Sequence, residues 1–401
     1  MKLLGKRLLR ALPVIIAVSL LTLGAEKMHW LKGFETTVFD AWFHVGRPQF
    51  RDNIVLVAID QLDYRESYGS VSPLDPHPLS ELLQKIAKAG PAVVAVDIDT
   101  SAPQFSDLPQ LSAPSQPSRT PYVWAAGAAE YLDDGSIPAE CGDGTTPPEG
   151  VKCPDNSMPV KRSGCANGAL IPFRIAGGKV SVPEENWGIA ISEEDHDGVI
   201  RHIPTSYRTC SGAIPSFPMV IAEKYVGHSL RADGDNEDKA YFKRYAFEKQ
   251  FSSRYFSRDH LGPDGLKGKI VIVGGTYSEA NDLHHTPMGI EPGMRIVASQ
   301  VESLIDGSRY SANEYLMLLV DILVGVILVF IHHYFSLGKA LLLSLIAIPF
   351  LALTASLVVF TSTAFWADTM PVSISVLIHQ FYEHAREYRR LYLERQASVA
   401  R

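Results

Sequence analysis

Long apolar runs lie near both ends of the chain, and a block of mixed polarity separates them. A membrane-spanning helix needs about 20 mostly apolar residues. Only short polar links join the three C-terminal runs, which is typical of paired membrane helices. The pattern therefore predicts four transmembrane α-helices, one N-terminal and three C-terminal. Their apolar cores lie at 8–23 (with a helix that continues toward residue 30), 315–335, 340–360 and 365–381.

Basic residues flank these runs on the sides nearest the chain ends. Lys2, Lys6 and Arg7 precede the first run, and five arginines follow the last one. Cytoplasmic segments carry the excess of Lys and Arg, so both termini are predicted to be cytoplasmic. A signal peptide cleaved near Gly24-Ala25 is the alternative for the first run, and it exports the same residues. The predicted division is a membrane anchor at 1–30, an extracytoplasmic domain at 31–312, three transmembrane helices at 313–382 and a cytoplasmic tail at 383–401.

The central block has the pattern of an α/β domain. Three continuous apolar stretches, Ile54–Asp60, Ala92–Asp99 and Lys269–Thr276, are typical of strands that are buried on both faces. Pro78–Ala89 lies between the first two and carries apolar residues on one helical face. The order strand–helix–strand predicts a right-handed parallel unit, and hence a mostly parallel central sheet.

A polar segment in the middle of the block predicts a hairpin. Trp187–Ile191 and Val199–Pro204 flank the turn signal Asp197-Gly198. The acids of this turn have the spacing of a calcium loop, but Pro204 stands where such a loop needs a bidentate Glu. Calcium is therefore not predicted here.

Composition and charge narrow the function classes. Apolar residues make up 46% of the chain, concentrated at its ends, which argues against a soluble cytosolic enzyme. The net charge of −7 argues against a general nucleic-acid binder. All cysteines fall in the exported block, where an even number favours disulfides of open connectivity, and their spacing is too wide for a CxxC zinc or redox site. They are Cys141, Cys153, Cys165 and Cys210.

A parallel sheet binds ligands outside the carboxyl ends of its strands. Polar residues follow the predicted strands at those ends. Carboxylates and imidazoles in one place bind a divalent or organic cation, or respond to pH. The alternative is that each Asp caps a turn or helix locally. The glycine pair matches no nucleotide-binding motif, and no catalytic triad or metal motif is predicted. The candidate ligand-binding residues are Asp60, Asp97, Asp99, Gly274, Gly275, Thr276, Asp282, His284 and His285.

One ionisable residue, Asp321, lies inside the second predicted membrane helix. A charge at membrane depth is a functional candidate. It stands only six residues after Tyr315, about 9 Å from the outer end of the helix. The favoured interpretation is that its carboxylate reaches the interface or pairs with another helix.

Taken in order, these segments resemble a CHASE2 domain, an extracytoplasmic sensor module of bacterial receptors. The resemblance covers about 39–307, and His77 departs from it, since such sequences tend to carry Arg after a proline. It implies a ligand or stress input outside the membrane. In this family a cyclase or kinase domain usually follows the third C-terminal span, whereas about 20 residues follow Phe381 here. The segments that carry the resemblance are 54–60, 78–90, 93–99, 195–201, 268–276, Asp282, 286–287, Gly289 and 292–293.

The leading hypothesis is a non-enzymatic sensor in the bacterial inner membrane that signals to a separate cytoplasmic or membrane protein. Its expected partners are the lipid bilayer, an unknown extracytoplasmic ligand, that signalling protein and a second copy of the chain through the tail. Neither a cofactor, a metal nor a nucleic acid is expected. The alternatives are a scaffold subunit of a membrane complex and an exported hydrolase that uses the Asp and His cluster.

Overall fold

A computed structural model of the chain describes most of its residues. The described ranges are 2–28, 30, 32–45, 49–111, 120–130, 170–209, 212–230, 240–241, 245–247, 249–257, 265–307, 309–311, 314–362, 365–366 and 370–399. All four cysteines, and with them the predicted disulfides, lie outside these ranges, and the structure gives the disulfide prediction no support.

The elements of the described residues are numbered here in chain order. The α-helices are α1 (Lys2–Lys27), α2 (Lys32–Val45), α3 (Gln61–Glu66), α4 (Pro76–Lys88), α5 (Phe217–Val226), α6 (Arg254–Ser257), α7 (Gly293–Ile305), α8 (Glu314–Tyr334), α9 (Leu337–Leu342), α10 (Ile348–Ser362) and α11 (Met370–Val399). The strands are β1 (Gln49–Arg51), β2 (Ile54–Ile59), β3 (Val93–Asp97), β4 (Tyr122–Ala126), β5 (Ala128–Glu130), β6 (Leu170–Pro172), β7 (Trp187–Ile189), β8 (His202–Ile203), β9 (Ser206–Thr209), β10 (Gly212–Pro215), β11 (Ala240–Tyr241), β12 (Tyr245–Phe247), β13 (Gln250–Ser252), β14 (Ile270–Gly275), β15 (Leu283–Thr286), β16 (Gly289–Pro292), β17 (Arg309–Ser311) and β18 (Phe365–Trp366).

The chain divides into two compact units. One unit, called here the sheet unit, comprises Arg47–Ser308. The other, called the helical unit, comprises Met1–Gly46 and Arg309–Arg401.

A six-stranded sheet of order β13-β2-β14-β3-β4-β7 forms the centre of the sheet unit. All its pairings are parallel. Every residue of β2 and of β14 is buried. This burial explains the continuous apolar runs, because both faces of a parallel sheet are covered. The predicted mostly parallel sheet is confirmed.

Alternate positions of these strands face different layers, as the period of two residues in a strand requires. Val55, Val57 and Val94 belong to the core that includes Leu79 and Leu83 of α4. On the opposite face, α7 packs against β14 and β2, and α5 packs against α7. The sheet unit is therefore a three-layer α/β structure.

The predicted hairpin around Asp197-Gly198 is wrong. Trp187–Ile189 forms β7, which extends the central sheet in parallel with β4. His202–Ile203 forms β8, which pairs with β11 instead. The turn at Gly198 exists, with φ of +74°, but its two flanks pair with distant strands. The error arose because a turn signal does not identify the strand that each flank pairs with.

Three described helical segments of the helical unit are long and apolar enough to cross a membrane. They are Gly5–Ala25, Tyr315–Tyr334 and Gly338–Phe360. The last of these contains a π-helical turn at Leu343–Ala347, just before Pro349. Pro349 lacks an amide hydrogen, which is a common cause of such irregularity in a helix. These segments indicate a membrane protein.

The prediction of a fourth span at 365–381 is not confirmed. Phe365–Trp366 is a strand, and α11 begins only at Met370. Charged residues start at Glu383, so the apolar part of α11 is too short to span a bilayer by itself. The count is three spans among the described residues, and the predicted topology stays unconfirmed.

Candidate functional site

The carboxyl ends of three central strands lie level with one another. Gly274 of β14 is paired with Ala58 of β2 and with Asp97 of β3, and Gly275 is paired with Ile59. This register brings Asp97 and the residues that follow β2 and β14 to one edge of the sheet. The edge therefore collects most of the predicted site residues, but their roles differ.

Asp60 caps a helix. Its Oδ1 accepts hydrogen bonds from the amides of Leu62 (2.8 Å) and Asp63 (2.9 Å) at the start of α3. Its Oδ2 forms an ion pair with Arg254 Nη2 at 2.9 Å. Partial burial opposes ionisation, but these donors outweigh it and hold the pKa of Asp60 below its usual value. Both of its carboxylate oxygens are thus used within the protein, as in the alternative interpretation of a capping residue.

Asp99 is also used locally. Its Oδ1 accepts a hydrogen bond from the Ser101 amide at 2.8 Å, which is an Asx turn. Asp99 is exposed. The structure therefore leaves Asp99 outside the cluster described below.

The glycine pair serves close packing. A Cβ at Gly274 would lie 2.8 Å from Met294 Cβ, and one at Gly275 would lie 2.8 Å from a ring carbon of Tyr277. These distances leave no room for a side chain. Thr276 donates its amide to Ile59 O at 2.9 Å and so continues the pairing with β2. All three residues fix the ends of the strands.

Asp97 and Asp282 form an interacting acid pair at this edge. Asp97 ends β3, and its carboxyl group is surrounded by protein although the residue keeps a partly exposed edge. Burial, together with the Asp282 carboxylate, raises the pKa of Asp97 to about 7, while His284 acts in the opposite direction. Two nearby carboxylates in a desolvated place resist a second negative charge. Asp97 therefore releases its proton near neutral pH.

Asp282 lies at the start of α7. The Gly293 amide donates to Asp282 O at 3.0 Å, and a Cβ at Gly293 would collide with the Asp282 carboxyl group. A carboxylate at a helix N-terminus is stabilised by the partial positive charge there. The lack of a side chain at Gly293 permits the Asp282 carboxyl group to lie against the first turn of α7.

His284 links this acid pair to a second segment. Its Nε2 lies 3.1 Å from Asp282 Oδ1, and its Nδ1 lies 3.8 Å from Glu194 Oε1. The hydrogen bond to Asp282 raises the pKa of His284 despite partial burial. His285, by contrast, is exposed on the other face of the β15–β16 hairpin. Its carbonyl accepts the Ile200 amide at 2.8 Å. The acid cluster, as the term is used below, comprises Asp97, Asp282, His284 and Glu194.

Sequence analysis did not foresee the clamp that holds the Glu194 segment. Arg201, which is 2% exposed, donates from Nη1 to Asp195 Oδ2 at 2.9 Å and from Nη2 to Asp197 Oδ2 at 2.8 Å. His202 Nε2 lies 3.3 Å from Asp195 Oδ1. Two of the acids that mimic a calcium loop, Asp195 and Asp197, are therefore paired with Arg201. The available signal in the sequence was an arginine four residues after Asp197. The burial of that arginine, however, depends on the tertiary structure.

Within the described part of the chain, no three His, Cys, Asp or Glu side chains are grouped so as to hold a metal ion. In the acid cluster the pKa values of Asp97 and His284 are both raised, and His284 connects two segments of the sheet unit.

Comparison with known proteins supports one assignment. No curated protein matches the chain significantly, and no solved structure does so either. The profile of the CHASE2 domain, in contrast, matches residues 14–331. Since that match covers more than half of the sequence, this protein belongs to the CHASE2 family of extracytoplasmic sensor domains.

Proposed function

We propose that this chain is a bacterial inner-membrane sensor whose extracytoplasmic sheet unit responds to pH and signals to a separate protein. The observation that carries the proposal is the acid cluster, in which Asp97 lies desolvated beside Asp282 where three parallel strands end. Membership of a family of extracytoplasmic sensor domains agrees with this role. The proposal assigns the chain no catalytic reaction and no cofactor.

The proposed signal is a change of charge. When Asp97 loses its proton, a second negative charge appears next to Asp282, which also holds His284. Repulsion then disturbs the contact of His284 with Glu194, which connects the β15–β16 hairpin to the segment before Arg201. The hairpin leads directly into α7 at Gly293, so its displacement is transmitted to that helix.

A short stretch of chain connects α7 to the apolar helix α8. Helix α7 ends at Ile305, and α8 begins at Glu314. A ligand or proton acts on such a system only through its different affinity for two conformations. The proposal therefore requires that the hairpin and α7 take different arrangements at low and high pH.

Hydrogen exchange tests this requirement in the full chain, reconstituted in nanodiscs, between about pH 6 and about pH 8. After correction for the intrinsic pH dependence of exchange, protection at 283–292 is expected to fall as pH rises. The variant D97N is expected to keep the low-pH protection throughout. The control variant D99N, which changes the exposed aspartate two positions along, is expected to follow the wild type.

Two results would contradict the proposal. One is a wild-type protection pattern that does not change with pH. The other is a D97N variant that changes as much as the wild type does. Either result favours the scaffold alternative, in which the domain is a docking surface without a ligand. Release of a product by the wild type that D97N and D282N both abolish would instead favour the hydrolase alternative.

The proposal also includes an orientation, with both termini in the cytoplasm. Since α1, α8 and the α9–α10 segment give three spans, this orientation requires α11 to return through the bilayer. Its first half supports that role, because Val372 and Val376 are buried and α11 packs against both α1 and α8. A neighbouring helix pair compensates for a short apolar stretch. Green fluorescent protein fused after residue 401 is expected to fluoresce, whereas a dark, exported fusion contradicts this orientation.

The second half of α11 is the proposed output surface. Its side chains are exposed, among them Tyr388, Leu391 and Tyr392. A photo-crosslinking amino acid at Tyr388 is expected to capture one cytoplasmic or membrane protein in a yield that changes with external pH. The same probe at Glu81, an exposed site on α4 in the sheet unit, serves as the control. Capture that is independent of pH contradicts a signalling role for this contact.

A further inference from the structure

A buried polar cluster lies inside the helical unit, apart from the acid cluster. Asp321 of α8 is 2% exposed, and Ser19 and Thr22 of α1 are buried next to it. Ser375 and His379 of α11 complete the group from a third helix. Ser19, Thr22 and Asp321 all lie within segments that are apolar enough to span a membrane. A carboxyl group in such a place has an energetic cost unless it is neutralised.

The hydrogen-bond donors that face Asp321 are neutral hydroxyl groups, those of Ser19, Thr22 and Ser375. The single hydroxyl hydrogen of Thr22 faces Asp321 Oδ2 at 3.2 Å, and it also faces Val18 O at 3.2 Å and Ser19 O at 3.0 Å, which already accept backbone amides within α1. Asp321 Oδ1 has no hydrogen-bond partner at bonding geometry within the described residues. An ionised Asp321 would therefore place a charge in the apolar interior among neutral donors, and an ionised carboxylate has no hydrogen of its own to donate.

A proton on Asp321 removes this buried charge. Asp321 then donates from Oδ2 to Thr22 Oγ1, and Thr22 donates to Ser19 O, its shortest contact. The hydroxyl of Ser19, which has no partner at bonding geometry, faces the carboxyl group in either protonation state. The neutral acid thus gains a hydrogen to donate and avoids the cost of a charge in the apolar interior.

We propose that Asp321 is a proton-binding site of the helical unit, which holds its proton while α1, α8 and α11 are packed together. His379 is the titratable group that faces Asp321 from α11, and Glu383 lies one turn beyond it. Helix α1 contributes only the hydroxyls of Ser19 and Thr22. His379 Nε2 also has no hydrogen-bond partner in the described structure, so it does not supply the missing donor.

The helices pack too closely around Asp321 for this site to bind anything larger than a proton. A Cβ at Gly325, one turn after Asp321, would lie 2.7 Å from Ile15 and 3.4 Å from His379 Nε2. The helices therefore approach each other at the level of a glycine. Separation of the helices exposes the carboxyl group to water and lowers its proton affinity. Proton uptake and helix packing are in this way linked.

Infrared spectroscopy of the full chain in lipid tests the proposal. At about pH 8, where Asp97 (pKa about 7) and Glu302 (pKa about 6) are mostly ionised, the wild type is expected to show the carbonyl stretch of a protonated carboxylic acid, and D321N is expected to lose that band. Because the measurement is made on the wild type, it does not depend on the folding of a variant. A spectrum without that band shows an ionised Asp321, paired with His379⁺, and overturns the proposal.

A second measurement identifies the residue chemically. Hydrophobic carbodiimides modify protonated carboxyl groups, so peptide mapping is expected to find the adduct on Asp321 and not on the exposed Glu383. The labelled fraction should fall about tenfold for each pH unit above the pKa of the group. Absence of the adduct, or equal labelling of Glu383, contradicts the proposal. D321N retains the hydrogen-bond donor and should match the wild type in thermal stability at neutral pH.

Discussion

Replacement of Asp97 by Asn tests the electrostatic argument for the acid cluster most directly. Asn has the shape and the neutrality of a protonated aspartate but never ionises. The Asp97 carboxyl has a pKa of about 7 in the folded chain against 3.8 when unperturbed. Between those two values the folded state therefore binds more protons than the unfolded state. Stability that depends on this group is greatest at low pH and falls as pH rises toward about 7.

The magnitude follows from these two values. One pH unit corresponds to about 1.4 kcal/mol of proton-binding free energy. Between about pH 5 and about pH 8 the group accounts for a loss of about 3 kcal/mol in the free energy of unfolding, as an upper value for a fully desolvated carboxyl. For a domain of this size that loss corresponds to a decrease of about 5–10 °C in the melting temperature. His284, whose pKa is also raised, contributes to the decrease in the same direction.

Thermal unfolding of the full chain in detergent, followed by tryptophan fluorescence, provides the assay. D97N is expected to remove most of the decrease in melting temperature over this pH range and to retain the part that belongs to His284. A matched control is E302Q. Glu302 is a buried carboxyl of α7 whose pKa is raised to about 6, mainly by burial, so E302Q should remove only about 1 kcal/mol.

The refuting result is a D97N variant whose melting temperature depends on pH as strongly as that of the wild type. Such a result would mean that Asp97 is ionised and well solvated in the folded chain. A D97N variant with a steeper decrease would contradict the sign of the argument. Neither result is explained by a general loss of stability, because a constant destabilisation shifts all melting temperatures together.

Three further substitutions test the packing of the sheet unit, each by chemical unfolding of the full chain. Arg201→Met removes the guanidinium partner of the buried Asp195 carboxylate and leaves it beside His202, which should cost about 3–5 kcal/mol; a cost below 1 kcal/mol (roughly the value of a surface pair) contradicts the clamp. Gly274→Ala forces a Cβ against Met294 of α7 and should cost about 1–3 kcal/mol. A neutral or stabilising effect would show that α7 shifts freely. Ile272→Ala empties a fully buried position of β14 and should cost about 2–5 kcal/mol, and a smaller loss would mean that the sheet collapses around the cavity.

The sequence alone predicted the central strands and their helices well. Strands β2, β3 and β14 and helix α4 lie within a few residues of their predicted bounds. Such elements are encoded by local periodicity, which a reader of the sequence sees directly. The parallel arrangement followed from the order of elements, and the family followed from the order of the segments.

The candidate site was predicted only in part. The rule for parallel sheets brought Asp60 and Asp97 to one edge, and both follow an apolar strand in the same local pattern. Their roles differ because Arg254, 194 positions away from Asp60, neutralises that residue, whereas Asp97 meets Asp282 instead. No local feature distinguishes the two aspartates.

Local sequence was also insufficient to predict the helical unit. The apolar runs predicted spans, but the length of α11 and the end of its apolar part decided that three helical segments of the described residues qualify. Asp321 was predicted to reach the interface or to pair with another helix, and only the packing of three helices placed it beside Thr22.

The sequence by itself determined which segments are apolar, which are amphipathic and which chemical groups are available. The tertiary structure decided which of those groups lose water and which meet a partner of opposite or equal charge. The reason is physical: hydrophobic periodicity acts over a few residues, whereas desolvation and charge pairing depend on neighbours that come from anywhere in the chain. For that reason the strands of this CHASE2 domain were predictable, and the proposed proton sites at Asp97 and Asp321 required the fold.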